Sequence, residues 1–324
     1  MTFPSLDSVE QTRSKWRNRM HSWLLAGGSV GFMAVVAWLV FGVVGLVWAL
    51  ALGAVGLWSA TRISPKLVLN LYRARPITQQ EFPDGYHVLR AITARADLPT
   101  VPMLYYVPSR MMNAFAVGMP QDSAIAVTDG LLRGLTMRQL AGVLAHEVSH
   151  IRNGDLKVMA LADIVNRITS IMATVGLLTL AFYLPAILEA GGQVPWIGIV
   201  LLIFAPTIGG LLQLALSRAR EYDADLDAVS LTGDPEGLAA ALMALERKQG
   251  AMWEALFLPG GRLPDPSLLR SHPKTQDRVK RILALRRDQT PHIPLPGEKP
   301  EVGPSIVPVV RRPRFHVSRM GLWY

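Results

Sequence analysis

His146 and His150 stand four residues apart in His146-Glu147-Val148-Ser149-His150. On an α-helix, positions i and i+4 share a face, so both imidazoles can reach one metal ion. Glu147 lies beside them and is not needed as a ligand. It is placed to take a proton from an activated water and to return one to a departing amine. A bound zinc ion lowers the pKa of its water toward about 7, which makes a strong nucleophile available at neutral pH. The residue types and their spacing therefore suit metal-assisted hydrolysis. The alternative is a chance match on a surface helix.

A catalytic zinc keeps three protein ligands and one open position. No third histidine follows closely, because Ile151, Arg152, Asn153, Gly154 and Asp155 come next. A later carboxylate is needed, and Glu221-Tyr222-Asp223-Ala224-Asp225 is the best candidate. Glu221 and Asp225 are four apart and share a helical face. Glu221 can bind the ion while Asp225 accepts a hydrogen bond from a ligating imidazole and fixes its tautomer. With no cysteine in the chain, thiolate sites and disulfides are excluded. The expected cofactor is one Zn2+ per chain, although such a set can also take manganese or cobalt.

The elements that must position these groups can be read from periodicity. Thr136 and Gln139 have the spacing of a capping box, and Leu140, Val143, Leu144 and Val148 form an apolar face. This predicts a helix that opens at Thr136, carries the motif and stops or kinks at Gly154. Residues 84–96 read as a helix with Val88, Leu89, Ile92 and Ala96 on one face. Residues 103–107 read as a strand, 114–117 and 124–127 as a hairpin, and 131–135 as a short helix. The order is strand-rich and then helix-rich, so the fold class is α+β: a mainly helical zincin-like catalytic domain with a small β-sheet.

Half of the 324 residues are hydrophobic, and they collect in two blocks. Residues 23–60 carry no charge and are long enough for two crossings of about 20 residues each, joined near residues 41–45. Residues 168–188 and 194–216 form a second pair. A buried soluble hairpin is the alternative for each. The sequence thus predicts four transmembrane helices in two pairs. Arg13, Lys15, Arg17 and Arg19 precede the first block, Arg62, Lys66, Arg73 and Arg75 follow it, and Arg218 and Arg220 follow the last segment. The connector after Leu188 has no Lys or Arg. By the positive-inside rule, the termini and both polar regions are cytoplasmic. The net charge of +9 therefore suits anionic lipid rather than nucleic acid, for which no motif is present. The expected divisions are a basic N-terminus (1–22), a membrane hairpin (23–60), a first catalytic segment with the motif helix (61–167), a second membrane pair (168–216), a second catalytic segment with the third ligand (217–286) and a Pro/Arg-rich extension (287–324).

Together, His146–His150, the run from Ser217 to Asp225, Asn113-Ala114-Phe115-Ala116-Val117-Gly118 and Ser271-His272-Pro273 resemble the HtpX branch of membrane metallopeptidases, related to the CAAX prenyl proteases. The likeness runs from the first apolar block to about Leu285. It implies a gluzincin-like zinc endopeptidase of the bacterial inner membrane. The implied active site is cytoplasmic and the implied task is quality control of misfolded membrane proteins. It implies Glu221 as third ligand. It also implies that Asn113, Ala114, Phe115 and Ala116 belong to an edge strand that pairs with extended substrate, and that His272 helps to hold an oxyanion. Asn113 as a turn residue and His272 as a helix-start residue are the plainer readings. An intramembrane protease is disfavoured, because Arg138, Arg152, Asn153 and Asp155 bracket the motif and charges are costly at mid-bilayer. A latent or inactive zinc-binding membrane scaffold is the other rival, disfavoured by the presence of Glu147.

Overall fold

The computed structural model describes residues 8–60, 65–191, 194, 196–257, 275–285, 317–318 and 321–322. In chain order the elements are α1 (Ser8–Ala60), α2 (Pro65–Leu71), β1 (Arg75–Pro76), α3 (Pro83–Arg95), β2 (Met103–Val107), β3 (Ala114–Met119), β4 (Asp122–Thr128), α4 (Asp129–Gly134), α5 (Met137–Asn153), α6 (Asp155–Glu189), α7 (Trp196–Thr232), α8 (Pro235–Phe257), α9 (Thr275–Leu283), β5 (Val317–Ser318) and β6 (Gly321–Leu322). They fall into two compact units. One contains α1, α6 from Lys157 onward and α7 as far as Arg220. The other contains the remaining elements, with the end of α7 from Glu221.

Among the described residues, three helices with all or most of their length in the first unit are long and apolar enough to cross a membrane: Trp23–Ser59, Asp155–Glu189 and Trp196–Thr232. The first of these is interrupted. Gly42 has φ 62° and ψ −153°, a conformation open to glycine and strained for other residues. The break falls inside the 41–45 window expected from the sequence. It uses one residue rather than a polar loop, so the described helices long and apolar enough to cross a membrane number three, where the sequence predicts four crossings. Met33, Val36 and Ala37 before the break and Ala49 after it pack in one cluster with Val165, Met172, Ala173, Leu202 and Ala205. Outward-facing side chains such as Val43, Phe182 and Ile197 are more than half exposed, as expected of a surface that meets acyl chains.

In the second unit, the sheet order is β1-β2-β4-β3. β2 and β4 are parallel, and the β3–β4 hairpin is antiparallel with Ala116 opposite Ile125. β3 is thus an edge. The expected helix at 84–96, strand at 103–107 and hairpin all form, with ends shifted by no more than a few residues. Leu140, Val143, Leu144 and Val148 of α5 are buried, as their spacing requires, against Val88, Leu89 and Ile92 of α3 and Leu238 of α8. α2, β1 and α8 were not anticipated. α8 is anchored by Asp234, which takes two hydrogen bonds from Arg138 on α5 (2.6 and 2.8 Å) and one from the Gly237 N–H (3.0 Å). The C-terminal extension lies outside the described residues except for the two-residue strands β5 and β6, which pair antiparallel.

Candidate active site

α5 is fixed at both ends. At its start, Gln139 N–H donates to the Thr136 hydroxyl and Thr136 N–H donates to the Gln139 side chain, the capping box anticipated from the sequence. At its end, Gly154 adopts φ 68° in the left-handed region, and its N–H bonds back to the His150 and Ile151 carbonyls. The chain then re-enters a helix at once, which carries Asp155 back toward His150.

Each histidine meets a carboxylate through Nδ1. His150 Nδ1 and Asp155 Oδ2 are 2.7 Å apart. His146 Nδ1 lies 3.1 Å from Asp225 Oδ1, in a close contact less well aligned for a hydrogen bond. A carboxylate on Nδ1 holds the proton there and turns the Nε2 lone pair outward. The two Nε2 atoms accordingly converge to 3.1 Å. Glu221 approaches them with Oε2 3.6 Å from His146 Nε2 and Oε1 3.8 Å from His150 Nε2. Ligand atoms about 2.1 Å from a tetrahedral zinc stand about 3.4 Å from one another. The Nε2–Nε2 separation and the approach of each Glu221 oxygen to one imidazole lie near that value, and one ligand atom from each residue lies within 4.8 Å of the others, so the donor set fits the ion. Among the described residues, His146, His150 and Glu221 form a group able to hold a metal.

Electrostatics agree with this fit. Burial opposes a charged His146, but the carboxylates of Asp225 and Glu221 outweigh it and push its pKa up to about 10. The cluster thus demands positive charge at its centre. Burial likewise raises the Glu147 carboxyl, assisted by the nearby Glu221 charge; the two imidazoles and the nearby Ala116 backbone N–H act against the rise. A carboxyl raised above its ordinary value is better matched to moving a proton near neutral pH.

Two residues that sequence reasoning missed complete the site. In the sequence Asp155 reads only as a charge near the motif; the available signal is its place directly after a glycine stop. Arg278, on α9, donates to both oxygens of Asp225 (2.7 and 2.6 Å) and places Nη1 3.0 Å from Glu221 Oε2. Nothing in its local spacing marks it. A second clamp joins α5 to α7, where Ser149 Oγ and Asn153 Nδ2 both donate to Asp227 Oδ2 (3.2 and 2.8 Å).

The edge strand also reaches the site. Thr128 N–H donates to the Asn113 carbonyl, so in the antiparallel ladder Asn113, Phe115 and Val117 direct their backbone groups to β4. Ala114, Ala116 and Gly118 direct theirs outward, and the Ala116 N–H lies near enough to Glu147 to favour its charged form. The Phe115 ring packs on Tyr72 at 4.8 Å between centroids. His272 lies outside the described residues.

Residues 80–286 match the sequence profile of Peptidase family M48. The chain belongs to that family and is a metalloprotease. It is similar to several curated proteins called Protease HtpX homolog. That of Methylibium petroleiphilum is 33% identical over 257 residues, covering 75% of this chain and 87% of the relative. That of Nostoc punctiforme is 34% identical over 278 residues, covering 82% and 94%. The crystal structure of S. mikatae Ste24p superposes with TM-score 0.45 and 19% identity, covering 85% of this chain and 66% of that one. With three long apolar helices, the protein is a membrane metalloprotease.

Proposed function

We propose that the protein is a zinc-dependent endopeptidase in which His146, His150 and Glu221 hold the ion and Glu147 is the general base. The observation that carries this reading is the convergence of two Nε2 atoms and one carboxylate beside a buried glutamate. Zinc, when bound, supplies a Lewis acid that polarises a peptide carbonyl and acidifies water. Asp155 and Asp225 hold the imidazoles in the Nδ1–H tautomer. Arg278 keeps Asp225 and Glu221 in place and offsets their charge. Glu147 takes the proton of the attacking water on its carboxylate and delivers it to the leaving nitrogen. Ala114 and Ala116 offer outward backbone groups to an extended peptide, with Asn113 and Phe115 framing the strand.

The same reading has four crossing segments in a bacterial inner membrane, with α1 contributing two, and the catalytic residues on the cytoplasmic side. The basic flanks support that orientation. The substrates are proteins, with misfolded membrane proteins as the physiological class, as the resemblance to HtpX-type peptidases suggests.

The test compares zinc content and casein cleavage for detergent-purified protein and its Glu147→Gln variant. Equal zinc, with cleavage reduced about 10²–10⁴-fold in the variant, is expected. Full activity in the variant would refute the assigned base. Zinc without cleavage by either protein would favour the scaffold reading.

A further inference from the structure

α2 is a seven-residue helix with two unlike faces. Leu69 is 1% exposed and packs with Val107, Val117, Ala124 and Ala126 beneath the sheet. On the opposite face Leu67 is 57% exposed and Leu71 is 70% exposed, with Lys66 and Asn70 also exposed and Arg73 exposed just beyond the helix. Two large leucines one turn apart and open to water oppose the folding of a short soluble helix.

The surrounding chain indicates what covers them. From Gln11 to Gln80 there is no Asp or Glu, while Arg13, Lys15, Arg17, Arg19, Arg62, Lys66, Arg73 and Arg75 all fall in that stretch. The apolar span ends at Ser59. Pro65 follows Ala60 by only five positions, so α2 is joined to the apolar span by a short stretch of sequence. A leucine face flanked by cations and tethered to a membrane exit matches the headgroup layer of an anionic bilayer.

We propose that α2 is seated in the headgroup layer of an anionic bilayer, with Leu67 and Leu71 reaching the acyl boundary. The helix is also tied to the edge strand. A Cβ at Gly118, near the turn end of β3, would come 2.9 Å from the Pro65 ring, and the Tyr72 ring packs at a tilt against Phe115. Seating α2 therefore holds one end of β3 near the lipid surface. Peptides that reach β3 would then be those just emerging from the bilayer. That consequence rests on the proposed pairing of substrate with β3; the lipid contact does not.

The chain has no cysteine, so single thiols can be introduced for labelling. Leu67→Cys, Leu71→Cys and, as a control, Glu246→Cys on the exposed face of α8 would carry an environment-sensitive fluorophore. The full chain would be placed in nanodiscs with and without anionic lipid, and doxyl-labelled lipid would serve as quencher. A blue shift and strong quenching at 67 and 71, greater with anionic lipid and absent at 246, is the expected result. Water-like spectra at 67 and 71, quenched by iodide as readily as at 246, would overturn the proposal. A blue shift without lipid quenching would also overturn it, by showing that protein covers the helix. None of these readings depends on cleavage, so a failed peptidase assignment would not be mistaken for a failed lipid contact.

Discussion

His150 takes its carboxylate from five residues away, across one helix end, whereas His146 takes its own from the C-terminal end of α7. The near half of the site comprises Glu147, His150 and Asp155, all fixed by the caps of α5 and the turn at Gly154. The far half comprises Glu221, Asp225 and Arg278, and it exists only when α7 and α9 are docked on α5. The near half is a property of local backbone geometry. The far half is a property of the completed fold, and a guanidinium from α9 holds its two buried carboxylates. Disturbing it should therefore cost both metal and stability, while disturbing the near half should cost metal alone.

The largest expected effect is in the far half. Glu221→Ala should leave two imidazoles, lose tightly held zinc and reduce cleavage to background, as measured by metal analysis after gel filtration. Retention of stoichiometric zinc would remove Glu221 from the ligand set. Next, Arg278→Ala leaves buried carboxylates without their guanidinium. Loss of one partner of such a group costs about 3–5 kcal/mol, so the unfolding temperature in detergent should drop clearly, and Arg278→Lys should recover only a fraction of it. Asp155→Asn sharpens the contrast. It should weaken zinc by about 10–100-fold with little change in unfolding temperature. An equally large stability loss there would erase the distinction between the halves.

The pH dependence addresses His146. Its folded value of about 10 lies above the ordinary 6.5. The proton therefore stabilises the metal-free fold fully below about 6.5, and this contribution disappears as pH rises through about 10. Metal-free protein should lose unfolding temperature across that interval, and zinc-loaded protein should not. Zinc uptake near neutral pH should release a proton, visible as a dependence of binding heat on the buffer. The smallest effect belongs to the cap. Thr136→Ala should cost about 1 kcal/mol of stability and leave zinc affinity unchanged.

The same division governs what could be read from the sequence. The α5 helix, its cap, its apolar face and the hairpin are legible because each is written in short-range spacing. The break at Gly42 can be placed to within a few residues, but an uninterrupted apolar run does not state whether it becomes two helices or one bent one. Asp155 is visible yet carries little weight by itself, because a carboxylate after a glycine is usually solvated. Arg278 is not legible at all. Its role depends on the approach of α9 to α7, which no local pattern encodes. α8 goes unrecognised although Asp234 and Gly237 mark its start.

The Ala116 N–H favours a charged Glu147, so the strand edge adjoins the proposed proton-transfer group. If substrate pairs with β3 as proposed, the enzyme would measure chain shape rather than side-chain identity. A residue in an intact helix has already committed its amide and carbonyl to its own helix and has nothing to offer the edge. A segment that has lost that internal pairing does. On the proposed reading, vulnerability to cleavage follows the fraction of time a client spends unravelled. Such a protease would act as a sensor of client instability while remaining nearly indifferent to client sequence.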